Sequence, residues 1–243
     1  MAGSCLAERL SHYVRLSASE QDAFDRLEEH DRSFRRGAVI IGEHEAPRDL
    51  YIVRSGWLHS SSVLGNGSRQ ILRFHFRSDV IGLPLLAFAD SPETVTAVTD
   101  VVLSPFSRER VAGLIVDHPR LAALLVALAI AARVSLADRL ASIGRTAARA
   151  RVSSLLCEIY GRLSMLGLAE DDAIQLPLTQ EEIGDATGLT AVHVNRMMRA
   201  LVEDGLIERQ GSQLRILDDA RLCADANYVD RSVLETGWMP PPR

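Results

Sequence analysis

The chain contains no lysine: all 27 basic residues are arginine, set against 32 acidic ones, for a formal net charge of −5. That balance excludes a protein that coats nucleic acid without regard to sequence. It leaves room for a local basic face, whose phosphate contacts must come from arginine and backbone amides. Cysteine is scarce too, with Cys5, Cys157 and Cys223 scattered and no CxxC-like pair. Three thiols exclude a disulfide framework and, within one chain, a four-cysteine iron–sulfur cluster. No unbroken apolar run reaches the roughly 18 residues that a membrane span needs, and the longest, at 121–132, falls short. The N-terminus lacks a basic-then-apolar signal pattern, so the chain reads as cytoplasmic with no membrane partner. A nucleophile–base pair, a glycine-rich phosphate cradle before a helix and metal-type His/Cys spacings are all missing, which argues against an enzyme.

What is present is globular. Of 243 residues, 47% are apolar and 24% charged, enough for one large or two modest domains. The most informative stretch is 178–201. Thr179 followed by Glu182 is a capping box that starts a helix at about Gln180. Gly188 stops it and turns the chain, and Thr190 caps a second helix. On that helix Val194, Met198 and Leu201 form an inward stripe, while Val192, Asn195, Arg196 and Arg199 recur on the opposite side. Asp204-Gly205 ends the helix, and two short runs around Gln210-Gly211-Ser212 read as a β-hairpin. Helix, turn, reading helix and hairpin make a winged helix-turn-helix, whose second helix enters the DNA major groove.

The Thr-Gln-Glu-Glu-Ile-Gly opening, the Gly-Leu-Thr turn and Val194-Asn195-Arg196 resemble the DNA-binding domain of the Crp/Fnr family of bacterial transcription regulators. The resemblance extends upstream. From about 33 to 106 the texture changes to short β-type runs broken at Gly42, Ser55-Gly56, Gly65-Asn66-Gly67 and Ser78-Asp79, which suggests a double-sheet jelly roll. Leu50-Tyr51-Ile52-Val53-Arg54-Ser55-Gly56 is similar to the strand-turn-glycine element of the family's cyclic-nucleotide-binding-like sensor domain. Val80-Ile81-Gly82 is similar to its phosphate-loop entry.

The phosphate loop departs from the cyclic-AMP-binding members. Where they carry a ribose-holding Glu after the glycine and a phosphate-pairing Arg, this chain has Leu83 and Pro84, with no basic residue from 78 to 107. A buried phosphate without a basic partner is penalised by several kcal/mol, so cyclic nucleotide is not expected in the familiar pose. Gly82, Leu83 and Leu85 suit either a filled core or an apolar effector pocket. Haem is the family's other sensor chemistry, but His44, His59 and His75 have no second ligand spacing and read as surface or hydrogen-bonded histidines. No cofactor is expected.

A short helix is predicted at 105–116, and His118-Pro119 breaks the chain before a long one at 120–143. Leu121, Leu125, Leu128, Ala132 and Leu136 follow helical spacing on it, and the stripe resembles the family's dimerisation helix, which pairs with its copy. Gly144 is the expected hinge. The resulting α+β architecture has a jelly-roll sensor domain at 1–116, a dimerisation helix at 117–144, a winged helix-turn-helix at 145–224 and a mobile tail at 225–243. Residues 167–175 read as a solvated loop, and 218–223 as one further helical turn.

The resemblance implies a homodimer on near-palindromic duplex DNA, with half-sites about 34–36 Å apart, and RNA polymerase as a further partner. Arg196 is expected to bond guanine O6 and N7. Asn195 and His193 would touch neighbouring bases or phosphates, and Arg199 lies on the same face. Thr179, Gln180 and Arg209 would hold backbone phosphates, and Thr190, the cap of the second helix, belongs to the same DNA-binding set. Val192 stands where the best-known members carry a base-reading Glu. It can pack on a thymine methyl but cannot accept from cytosine, so the half-site should differ there. The competing reading is a cyclic-nucleotide-binding signalling module whose C-terminal domain contacts protein, against which the arginine-bearing face speaks.

Overall fold

The computed structural model describes residues 3–240. In chain order these form α1 (Cys5–Leu10), α2 (Ala18–Leu27), β1 (Arg32–Phe34), β2 (Val39–Ile41), β3 (Asp49–Ser55), β4 (Leu58–Val63), β5 (Arg69–His75) and β6 (Val80–Ile81). A 3-10 turn at Leu83–Leu86 precedes β7 (Thr94–Ala97), β8 (Val101–Ser107), α3 (Arg108–Asp117), α4 (Pro119–Arg145) and α5 (Ala148–Met165). Then follow β9 (Ala173–Gln175), α6 (Gln180–Thr187), α7 (Ala191–Glu203), β10 (Ile207–Gln210), β11 (Gln213–Ile216) and α8 (Asp219–Ala226). The described residues divide into two compact units, 3–62 with 72–132 and 233–240, and 63–71 with 133–232.

The first unit carries two antiparallel sheets, ordered β1-β8-β3-β6 and β2-β7-β4-β5, the jelly roll that the spacing of short runs predicts. β3 shows how one strand serves two cores. Successive side chains point to opposite faces, so Tyr51 and Val53 pack with Leu58, Val95 and Leu103 between the sheets. Leu50 and Ile52 face the other way, into a core built with α1, α2 and the first turns of α4. Each fully buried Leu or Ile contributes about 2 kcal/mol.

The N-terminal lead-in is therefore part of this core, since Cys5, Leu6, Ala7 and Leu10 are all buried. Its first turn is held by Glu28, which accepts from the Cys5 and Leu6 amides at 3.0 Å each and from the Ser4 hydroxyl at 2.5 Å. Arg54 pairs with the same carboxylate. At the other end of the chain, Met239 packs against this core and the Thr236 hydroxyl donates to the Tyr13 carbonyl at 3.1 Å. The expected mobile tail thus contributes contacts at those positions, while Pro241 and Pro242 lie outside the described residues.

Several boundaries differ from the sequence reading. Pro105 is a strand residue opposite Tyr51 in β8, and the helix starts at Arg108. The strand accepts a proline because β1 pairs with β8 only at Val101–Leu103, leaving that edge open beyond. Gly144 lies inside α4, which ends at Arg145. The interruption comes at Thr146-Ala147, with the Thr146 hydroxyl donating to the Ser142 carbonyl at 2.8 Å.

α4 also corrects the expectation about apolar length. It holds an 18-residue window apolar enough, by length and composition alone, to cross a bilayer, and only 11% of that window is buried. A window can include a charge or two that an unbroken run cannot. Leu121 is used up in the N-terminal core at 1% exposure, and Leu125 and Leu128 pack against its edge. The strongly exposed apolar positions are Val126, Ile130, Leu136 and Leu140.

In the second unit α5, α6, α7 and α8 enclose Val152, Leu156, Ile159, Ile183, Val194 and Leu222. The predicted solvated loop at 167–175 contains β9, which joins the hairpin as a third strand in the order β10-β11-β9 and buries Ala173 and Ile174. A three-residue strand is too short for alternation to reveal. α8 runs two turns, longer than the single turn expected. Residues 63–71, the turn after β4 with the first residues of β5, cluster by contact with this unit.

Candidate nucleic-acid interface

Three local devices build α7. Thr179 Oγ1 accepts from the Glu182 amide at 3.1 Å and Glu182 Oε2 accepts from the Thr179 amide at 2.7 Å, so both halves of the capping box form. Such a cap contributes about 1 kcal/mol. Gly188 ends α6 in the left-handed conformation, φ +67°, where a side chain would be strained. Thr190 Oγ1 then caps α7 by accepting from the His193 amide at 3.4 Å.

α7 divides as its periodicity requires. Val194, Met198 and Leu201 are buried against the rest of the unit. Val192, His193, Asn195, Arg196 and Arg199 are all exposed, and Val192 is 78% so. Neither Arg196 nor Arg199 takes part in a salt bridge found among the described residues, unlike Arg149, which pairs with Asp204 and Asp225. Uncommitted guanidiniums on a convex helix face are suited to phosphate oxygens and guanine edges.

Thr179 is exposed at the start of α6 and Gln180 half-buried beside it. On the wing, Arg209 is half-buried and donates from Nε to the Gly211 carbonyl at 3.2 Å, bracing the turn. Arg215 is exposed on β11, opposite Glu208. The sequence reading passed over Arg215, although the polar-apolar alternation of Gln213-Leu214-Arg215-Ile216 already turns it away from buried Leu214 and Ile216.

At the expected effector loop, Leu85 is 1% exposed and lies in the core between the sheets. A Cβ on Gly82 would meet Ile41 and Leu85 carbons at 3.3 and 3.4 Å, so the space beside it is filled. Leu83 instead faces outward at 41% exposure. The polar groups of the first unit gather elsewhere. Ser60 Oγ lies 2.6 Å from His75 Nε2 and donates to Glu93 Oε1 at 3.0 Å. His59 and His75 are both buried, His59 edge-on to Phe74, so neither is the surface histidine that one of the two sequence alternatives describes. His44 has φ +66° in a turn. Burial pushes the Glu93 carboxyl above the ordinary glutamate value, against the lowering effects of Ser60 and Arg73.

Cys157 on α5 and Asp219 and Cys223 on α8 bring three ligand-type atoms within 4.8 Å of one another. The linear spacing hid this grouping because the fold, not the local sequence, joins the two helices.

Two family models match the chain, the cyclic nucleotide-binding domain over residues 31–118 and the Crp-like helix-turn-helix domain over residues 150–224. The transcriptional activator protein FnrA of Stutzerimonas stutzeri is 27% identical over 224 residues, spanning 92% of this chain and 89% of that protein. The transcriptional activator protein FnrL of Cereibacter sphaeroides is 27% identical over 231 residues, spanning 92% and 91%. Among solved structures, FixK2 from Bradyrhizobium japonicum matches with a TM-score of 0.73 at 28% identity, over 80% of this chain and 96% of that one. A CooA mutant from Carboxydothermus hydrogenoformans matches at 0.67 and 16% identity over 93% and 97%, a likeness of fold alone.

Proposed function

Because the chain belongs to the Crp/Fnr family of transcription regulators, we propose that it acts as a homodimer reading near-palindromic DNA through α7. The observation that carries this is the outward set Val192, Asn195, Arg196 and Arg199 on a helix whose opposite face is locked into the core. One helix reads only a few base pairs, so two copies about one duplex turn, 34–36 Å, apart are needed for a specific site. RNA polymerase belongs to the same proposal as the downstream partner.

The second copy is proposed to cover α4. Val126, Ile130, Leu136 and Leu140 are 55%, 54%, 51% and 72% exposed. With exposed Ala129 and Ala137 they lie on or beside the alternating three- and four-residue steps 126, 130, 133, 137 and 140 of a coiled-coil seam, which Arg133 interrupts at its middle. Light scattering on the purified chain should give a dimer, and Leu136→Asp with Leu140→Asp should give a monomer that no longer retains a specific duplex. A wild-type monomer, or a chain recovered in membranes, would overturn the reading. Genome-wide capture of bound DNA then supplies site and spacing.

The sensor unit is proposed not to hold cyclic AMP in the family's familiar pose. The loop around Gly82 offers no basic side chain, and its inward Leu85 is packed. Titration calorimetry against cyclic AMP and cyclic GMP tests this, and micromolar binding would overturn it. Salt-sensitive binding to a specific duplex separates the DNA-binding reading from the signalling-module one that the cyclic nucleotide-binding match keeps in view.

A further inference from the structure

Cys157 and Cys223 are 66 residues apart in sequence, yet their sulfur atoms lie 3.0 Å from each other. Two sulfurs bound to one tetrahedral zinc, with Zn–S near 2.3 Å, stand roughly 3.8 Å apart, whereas a disulfide bond is about 2.05 Å. The pair is thus already closer than a shared metal ion would place it. Cys157 is 2% exposed on α5, Cys223 is half-buried on α8, and Asp219, one turn before Cys223, puts Oδ1 3.4 Å from its sulfur. One thiol can be reached from solvent, the second stands behind it, and a carboxylate is placed to take a proton.

We propose that Cys157 and Cys223 form an oxidisable pair that closes to an α5–α8 disulfide, with a low-molecular-weight disulfide as oxidant. Cys223 gives up its proton to Asp219 and attacks one sulfur of the external disulfide, expelling a thiolate. Cys157 then loses its proton and attacks the Cys223 sulfur, expelling the second thiolate. The two expelled thiolates take up the two protons, so two protein thiols become one disulfide and the oxidant becomes two thiols. Burial raises both thiols and Asp219 raises them further, so the pair stays protonated near neutrality and closes slowly.

The closed loop would contain α6, α7 and the wing, leaving their outward residues untouched. Shortening the unfolded chain in this way predicts a rise of about 10 °C in the melting temperature of the second unit.

The test is incubation of the full chain with oxidised glutathione, followed by thiol titration and mass measurement under denaturing conditions. The expected result is loss of two hydrogens and of two of the three thiols, with the disulfide mapped to Cys157 and Cys223. Cys5 should stay free, being 1% exposed. Cys223→Ser, at a partly exposed site chosen to spare the fold, should keep both remaining thiols and abolish the melting shift, and Cys157→Ser should do the same. Three thiols unchanged, a persistent glutathione adduct on Cys223, a bridge between chains, or stoichiometric zinc that blocks oxidation would each overturn the proposal. None of these readouts depends on DNA binding.

Discussion

Gly184 and Leu189 approach so closely that a Cβ on the glycine would lie 2.4 Å from the Leu189 carbonyl oxygen. The Leu189 amide donates to the Gly184 carbonyl at 3.0 Å, so the turn folds directly back over the last helical residues of α6. This approach sets where α7 begins. Gly184→Ala would improve helix propensity by about 1 kcal/mol, but overpacking against rigid backbone costs about 1–3 kcal/mol. The clash should win. Thermal unfolding of the variant should show a destabilised C-terminal unit and weaker duplex binding, and an unchanged melting curve would mean that the turn yields freely.

Arg196→Ala should weaken binding to the preferred duplex by about 1–3 kcal/mol and relax the preference at one base pair of each half-site. Competition against single-base variants of that duplex is the measurement. If affinity falls equally on every sequence, Arg196 is a phosphate contact.

Val192, the most exposed large hydrophobic of α7, has no group that accepts from a cytosine amine. Selection on random duplexes should therefore recover a half-site that differs from the usual family consensus at the base facing this residue. Val192→Glu should shift that base toward cytosine. Recovery of the unaltered consensus by the wild-type chain would sink the idea.

Glu28 is the shared acceptor for Arg54 and the first amides of α1, with its side chain 2% exposed. Glu28→Ala removes the acceptor and leaves the Arg54 guanidinium, 18% exposed, with only Asp31 at 3.9 Å and the Gly3 carbonyl at 3.3 Å. The loss should therefore fall below the roughly 3–5 kcal/mol of a fully broken buried pair. Urea unfolding should register that loss in the N-terminal unit. Release of α1 should also raise the reactivity of Cys5, whose thiol burial now pushes up to about 11.

Glu93 gives the first unit a pH dependence of defined sign. Its carboxyl is raised in the folded chain, chiefly by burial. The folded state therefore binds a proton more tightly than the unfolded state, whose value is about 4.3. The contribution is full below that value and is lost as pH rises toward the folded one. Glu93→Gln keeps an acceptor for Ser60 and cannot ionise, so the stability difference between variant and wild type should grow in the variant's favour across this interval. Melting curves from pH 4 to 7, about the range that spans it, should diverge, and parallel curves would contradict the assignment.

What could be read from residues alone was whatever depends on neighbours a few positions apart. Thr179 and Glu182, Gly188, Thr190 and the two faces of α7 are written in spacings of three and four, because helix caps and helix faces close within one turn. The jelly roll was legible as a rhythm of short runs and turns, although β9 and the ends of β8 and α4 were not. The tertiary fold decided which apolar residues are used twice and which polar ones meet. Leu121 looks like the rest of its stripe until α1, α2 and β3 close over it. Ser60, His75 and Glu93 come from β4, β5 and the turn before β7, and Cys157 meets Cys223 across 66 residues. Such meetings arise from sheet and helix packing over long loops, and a linear pattern carries no record of which distant side chains that packing will bring within bonding distance.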